Sequence, residues 1–230
     1  SEHLEETLIP VLDMMHEDPT FSTFVPPNML PIPLWSAVYH DAVLASNFAG
    51  LPPFADPSPA PLIRAYITLS YMYGNLLSFT NWFADTSPIF NQNLPANHPM
   101  RPTLDYVKML AKSYSVTRPY VLEGKMLHPL PGTFWSSLDY NEELFLKPWS
   151  SVWKSNSGKV GILLANPQDG ALFIHTYLNF ADYGIPSGRS VKIYETINSG
   201  DSTLTSEVQD AYSIDRAVPG YSLVLLELEW

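Results

Sequence analysis

The chain contains no cysteine, which excludes disulfides and thiolate metal sites while leaving the compartment open. Positive charge is scarce. Twelve Lys and Arg stand against 23 Asp and Glu, a formal net charge of −11, so the basic face that phosphate backbones require is missing and nucleic acid is not an expected partner. Charged residues make up only 15% of the 230 positions and aromatics 13%, which excludes the disordered class. No apolar run approaches the roughly 20 residues of a membrane span. A signal peptide is lacking, and the sequence starts at Ser1 rather than Met. Its start is therefore expected to be processed or truncated, with a leader or upstream domain lost. No Gly-rich phosphate loop and no G-x-S-x-G elbow occurs, which ranks nucleotide binding and serine-nucleophile chemistry low. His3, His16, His40, His98, His128 and His175 show no H-E-x-x-H or paired spacing, so neither metal nor cofactor is expected.

What is present is a core-forming composition with one conspicuous segment, Pro31-Ile32-Pro33-Leu34-Trp35-Ser36-Ala37-Val38-Tyr39-His40-Asp41. It is apolar for most of its length and ends in three polar residues. A buried strand that delivers such groups at its C-terminal end is how a parallel β/α barrel builds a site. Tyr39, His40 and Asp41 would then face a polar ligand. The plainer alternative is a buried strand followed by a helix that Asp41 caps.

The character of the chain changes near Pro129-Leu130-Pro131-Gly132, a domain boundary that divides it into residues 1–131 and 132–230. In the first part, Leu4 to Met15 reads as a short helix interrupted by Pro10. The strand over 32–40 follows, then a stiff proline-rich loop from Leu51 to Pro61. Leu62 to Gly74 reads as a helix with Leu62, Ala65, Tyr66, Leu69, Met72 and Tyr73 on one face and Gly74 as its stop. Leu76 to Trp82 reads as a second buried strand. Pro102 opens another helix, with Leu104, Val107, Leu110, Ala111 and Tyr114 as its apolar stripe. Strand, helix, strand, helix is the rhythm of a β/α barrel.

The second part reads as short strands: Lys159 to Asn166, Leu172 to Phe180, Ser190 to Thr196, Thr203 to Val208, Ala211 to Ile214 and Tyr221 to Leu228. Turn signals separate them at Gln168-Asp169-Gly170, Ser187-Gly188, Asn198-Ser199-Gly200 and Pro219-Gly220. This spacing predicts an antiparallel β-sandwich. Trp135, Trp149 and Trp153 cluster at the junction and are expected to pack between the two parts. The fold class is thus α+β, the C-terminal β/α units of a TIM-type barrel followed by a sandwich. A full barrel takes about 250 residues, and the first part holds only enough for two or three units. The remainder lies upstream, or comes from another chain, or the first part is a small helical domain instead.

One ordered set of segments resembles a known family. Ser1-Glu2 with Glu5, Glu6 and Asp13 is followed by Pro33-Leu34-Trp35 and Val38-Tyr39-His40-Asp41, then by Tyr120 to Pro129, then by Val160 to Asn166. The order resembles the C-terminal portion of large bacterial glycoside-hydrolase-like proteins, in which a (β/α)8 barrel runs directly into a β-sandwich. The resemblance implies a carbohydrate-active protein, with an oligosaccharide or polysaccharide as partner and a missing N-terminal barrel segment. It also implies a strand-end acid followed by a short helix carrying another acid, and Glu2 and Asp13 occupy the matching places.

Glycoside hydrolysis generally needs two carboxyl groups, one giving a proton and one acting as base or nucleophile. Glu2, Asp13, Asp41 and Asp85 stand near expected strand ends. Glu2 is the first choice through the resemblance, and Asp41 the second. Asp13 is better read as a cap or salt-bridge partner, and the plain reading of Glu2 is a solvated terminal residue. Trp35 and Trp82 suit the apolar face of a pyranose, with Asn81 and His40 as hydrogen-bonding neighbours. Trp35, in mid-strand, is better read as core. The expected binding set is therefore Tyr39, His40, Asn81 and Trp82. The competing reading is a non-catalytic carbohydrate-binding or structural accessory module. Action on polysaccharide would favour a secreted or cell-envelope location, with the cytoplasm left open.

Overall fold

The computed structural model describes residues 14–17, 44–48, 60–78, 95–128, 130–131, 133 and 148–230. These are mostly β-structure with two α-helices. Strands β1 (Met14–Glu17), β2 (Leu44–Phe48) and β3 (Leu76–Ser78) form a three-stranded sheet in chain order, and both pairings are parallel. Helix α1 (Ala60–Met72) lies between β2 and β3 in the chain. Helix α2 (Arg101–Val121) follows β3.

The expected helix over Leu4 to Met15 is corrected at its end. Met14 and Met15 belong to β1 and pair with Leu44 and Ala45. The ladder with β2 gives the backbone groups of these residues partners across the sheet. Strand β2 is an element the sequence did not announce. The strand expected over 32–40 lies outside the described residues, as does the Leu76–Trp82 run beyond Ser78.

Helix α1 forms where it was expected. It ends in a Schellman motif: Gly74 adopts φ 78°, its N–H reaches the Tyr71 carbonyl at 3.0 Å, and the Asn75 N–H reaches that of Ser70 at 3.1 Å. The helix is buried well beyond one stripe, since Arg64, Thr68, Ser70 and Tyr71 are buried along with Ala65, Leu69 and Met72. Helix α2 carries Pro102 in its first turn, where a missing N–H costs nothing. Its buried stripe includes Leu104, Val107 and Leu110 but then runs through Ser113, Thr117 and Tyr120, and Ala111 is exposed. The hydroxyls of Ser113 and Thr117 donate to the carbonyls of Met109 and Ser113 at 2.9 and 3.0 Å, which lets short polar side chains occupy the interface.

Among the described residues, the strands after α2 pair antiparallel. A six-stranded sheet has the order β4 (Lys125–Leu127), β5 (Trp149–Lys154), β6 (Val160–Asn166), β11 (Ser222–Glu229), β8 (Ser190–Ile197) and β9 (Thr203–Gln209). Strands β7 (Leu172–Asn179) and β10 (Ala211–Val218) pair as a separate two-stranded ribbon. Both faces of the sheet are covered at its central strands β5, β6 and β11. Trp149, Trp153, Leu163, Ala165, Leu223 and Leu225 share one apolar cluster with the helices. Val152, Ile162, Leu164, Val224 and Leu226 share the other with Ile174 and Leu178 of β7 and Ile214 and Val218 of β10. Burial on two faces explains why β6 and β11 read as continuous apolar runs rather than alternating ones. Trp149 and Trp153 do pack between helices and sheet, whereas Trp135 lies outside the described residues. Among the described residues, no helix is long and apolar enough to cross a membrane.

Candidate functional site

The parallel sheet is the element from which a β/α site would be built, and its C-terminal edge is defined by the strand ends. β1 closes on His16-Glu17, β2 on Asn47-Phe48 and β3 on Ser78. The register places Glu17 beside Asn47 and His16 beside Ser46, and then Asn47 beside Leu77 and Phe48 beside Ser78. An acid and an amide thus hold neighbouring positions at one edge of the sheet. Glu17 and Asn47 were not singled out from sequence. The available signal was the apolar pair Met14-Met15 running into His16-Glu17, the same apolar-to-polar pattern that drew attention to Tyr39-His40-Asp41.

The predicted site residues Glu2, Tyr39, His40, Asp41, Asn81 and Trp82 all lie outside the described residues, as do Asp13, Trp35 and Asp85. In the chain, β2 begins three positions after Asp41, and Asn81 follows the end of β3 by three.

Behind the parallel sheet, the two helices are fixed to the antiparallel part by a buried cation. Arg64 of α1 donates from Nε to the Pro167 carbonyl at 2.7 Å and from one terminal nitrogen to Thr103 Oγ1 at 2.8 Å. Its guanidinium lies 5.1 Å from the centre of the Tyr221 ring. One side chain therefore joins α1, the first turn of α2, the β6–β7 turn and the approach to β11. Burial lowers the guanidinium's pKa, and Tyr221, Tyr106 and Asp169 act in the opposite direction. Arg suits this place because its donors form a rigid fork and its charge persists under desolvation.

Hydroxyl pairs knit the helices together. Tyr106 and Thr68 share a hydrogen bond of 2.8 Å, Tyr71 pairs with Thr117, and Tyr114 donates to the Asn75 carbonyl at 2.9 Å. Burial raises the pKa of Tyr71 and of Tyr106 well above the usual phenol range, so both remain neutral donors.

A second polar group sits where α2 meets the sheet. The Tyr120 hydroxyl donates to Glu227 Oε2, and Lys159 Nζ lies 2.8 Å from Glu227 Oε1 and 3.1 Å from Glu229 Oε2. Burial, with Glu227 beside it, raises the Tyr120 pKa strongly. The bond to Glu227 raises that of Lys159. One cation here holds two carboxylates, and the phenol donates to the first of them, which makes the group a fastening rather than a reaction centre. Sequence gave no sign of it, because its members come from three separate segments. Among the described residues, no cluster of His, Asp and Glu could hold a metal ion.

Comparison with protein-family models finds no match, and comparison with curated proteins finds none either. Several solved structures are similar to the chain. Alpha-galactosidase I from Mortierella vinacea matches at 12% identity and a TM-score of 0.38, over 81% of this chain and 40% of that one. A GH30 endoxylanase from Clostridium papyrosolvens C71 matches at 11% identity and a TM-score of 0.41, over 97% and 50%. A GH27 β-L-arabinopyranosidase from Geobacillus stearothermophilus matches at 8% identity and a TM-score of 0.45, over 97% and 46%. The chain spans half or less of the length of each of these three.

Proposed function

We propose that the chain is the C-terminal portion of a bacterial glycoside-hydrolase-like protein. Residues 1–131 are the last β/α units of a barrel-like domain, although β4 within that range already pairs with β5 of the antiparallel sheet, and residues 132–230 are a β-sandwich. The observation that carries this reading is the order of the parallel sheet. Its strands are neighbours in chain sequence, with a helix between β2 and β3 and a second helix after β3. Sequential parallel strands joined in this way are the repeating unit of a barrel. The helices then lead straight into antiparallel strands, as the family resemblance of the sequence implies.

The reaction is cleavage of a glycosidic bond by two carboxyl groups. Glu2 and Asp41 are the proposed pair, with Tyr39, His40, Asn81 and Trp82 holding the sugar. Glu17 joins them as a third candidate acid, because it closes β1 at the end of the sheet where barrel sites are built.

The test is hydrolysis of an aryl glycoside panel by the full-length native protein and by Glu2→Gln, Asp41→Asn and Glu17→Gln, with circular dichroism as the folding control. These changes nearly conserve volume while removing the carboxyl. Turnover should fall by several orders of magnitude for the two members of the pair and change little for the third. Unchanged turnover in folded Glu2→Gln removes Glu2 from the mechanism. No turnover by the wild type across the panel shifts the reading to a non-catalytic carbohydrate-binding or structural module.

A further inference from the structure

The outer face of the β7–β10 ribbon carries two aromatic side chains left open to solvent. Phe173 is 74% exposed and Tyr177 is 64% exposed. Along β7 the residues alternate, with Ile174, Thr176 and Leu178 buried and Phe173, His175, Tyr177 and Asn179 exposed. The strand rise separates Phe173 from Tyr177 by about 13 Å along a single line. Between them stands His175, whose Nδ1 lies 3.7 Å from Oδ1 of Asp215, its register partner on β10. Both members of that pair are exposed, and the exposed Ser213 lies opposite Tyr177.

We propose that this face is a docking platform for a neutral linear oligosaccharide, with Phe173 and Tyr177 stacking on separate sugar rings while His175 and Asp215 hydrogen-bond the hydroxyls between them. The polar pair between the rings decides the class of ligand. An apolar protein surface laid over both rings would desolvate an imidazole and a carboxylate without replacing their water contacts, which is costly. A glycan brings apolar C–H faces for the rings and hydroxyls that both donate and accept. Those hydroxyls match the carboxylate, an acceptor only, and the imidazole, which offers both roles. The separation of the rings calls for several linked sugars rather than one. A chain carrying −11 overall does not favour an acidic polysaccharide.

The platform is stiff. Ile174 and Leu178 are anchored in the core beneath it, and Thr176 Oγ1 donates to the Pro131 carbonyl at 2.8 Å. An anchored strand lowers the ordering cost of binding, since its backbone is already fixed. Among the described residues, the other exposed large apolar side chains, Ile197 on β8 and Leu204 on β9, are aliphatic and offer no ring to a sugar. Binding here involves no bond cleavage and is independent of the carboxylate pair.

The experiment is calorimetric titration of the full chain with cellohexaose, xylohexaose and mannohexaose, repeated with Phe173→Ser, Tyr177→Ser and the double variant. Both side chains are exposed, so circular dichroism should be unchanged. At least one hexasaccharide should bind, each single variant should weaken binding roughly tenfold or more, and hydrolysis of small aryl glycosides should be unaffected. Wild-type protein that binds none of the three overturns the platform, as does a folded double variant that binds like the wild type. A wild-type dimer that the double variant splits into monomers, without hexasaccharide binding, assigns the face to a second copy and also overturns it. Loss of aryl glycoside turnover in Glu2→Gln with hexasaccharide binding retained would separate the two sites.

Discussion

The ring of Tyr120 occupies the space that any side chain at Gly161 would need. A Cβ built on Gly161 would stand 2.5 to 2.7 Å from three atoms of that ring. Glu227, which accepts the Tyr120 hydroxyl, is the register partner of Gly161 on β11. The absence of a side chain on one strand thus lets an aromatic from α2 lie on the sheet and reach a carboxylate on the next strand. Gly161→Ala should therefore cost about 1–3 kcal/mol, as overpacking does. Pairing it with Tyr120→Leu should recover part of that loss, since the two positions share one contact. Urea denaturation of the two single variants and the double variant reads the coupling, and purely additive losses would refute the contact.

Arg64→Met keeps the length of the stem but removes both donors and the cation. The Pro167 carbonyl and the Thr103 hydroxyl then lose their partners in a buried place. Hydrogen bonds to charged groups are worth about 1.5–3 kcal/mol, and the unfolding free energy should fall by at least that much. Arg64→Lys should recover little, because an ammonium cannot reproduce the planar fork. A Lys variant as stable as the wild type would show that charge alone suffices.

Asn166 ends β6 fully buried. Its Nδ2 donates to the carbonyls of Gly170 at 2.7 Å and Val218 at 3.1 Å, and its Oδ1 accepts the Gln168 N–H at 3.0 Å. Asn166→Ala should cost about 1–3 kcal/mol, the penalty for stranding buried partners. Asn166→Asp should be worse at neutral pH, because a carboxylate would confront two carbonyl oxygens. Thermal melts of both variants give the order, and an Asp variant as stable as wild type would contradict this arrangement.

Alkaline pH should destabilise the fold through its buried phenols. Burial pushes Tyr183 up to about 12 and raises Tyr71, Tyr106 and Tyr120 as well. In the unfolded chain these groups titrate near 10. Above that pH the unfolded state has released protons that the folded state still holds, so stability falls as pH rises. The stabilisation is complete below about pH 10 and declines from there. For Tyr183 it is lost by about 12. Urea denaturation between pH 9 and 12 should show the decline, and Tyr183→Phe should make it shallower. A flat profile would mean that these phenols titrate as they do in water.

Much of the antiparallel part was legible in the sequence. Gln168-Asp169-Gly170 separates β6 from β7, and Asn198-Ser199-Gly200 separates β8 from β9, with Asn198 adopting φ 55° and accepting the Leu223 N–H at 2.9 Å. Strands β4 and β5 were not legible. The first has three residues, and the second mixes Ser150 and Ser151 into its core positions. Those hydroxyls are tolerable there because Ser150 pairs with Thr133 and Ser151 accepts the Trp153 Nε1–H at 2.9 Å, facts of the folded state alone. Of the candidate site, the sequence offered strand-end polar residues at Tyr39-His40-Asp41, while the juxtaposition of Glu17 and Asn47 depends on a pairing between distant segments. Arg64 was hidden for a related reason. A lone cation in an apolar helix looks like an exposed position until its acceptors are known.

Those acceptors also set an order of events during synthesis. Pro167 lies 103 positions beyond Arg64 in the chain, and the Tyr221 ring is made later still. When the residues of α1 first leave the ribosome, the groups that will enclose the guanidinium do not yet exist, and its charge must stay hydrated. Packing of α1 against its eventual neighbours is thereby deferred until the β6–β7 turn arrives, and the aromatic cover comes only as β11 emerges. A nascent chain halted before Tyr221 would hold its helices near an incomplete sheet, with one cation still in water. Strand β11, which follows Tyr221, is thus the one whose arrival lets α1 close.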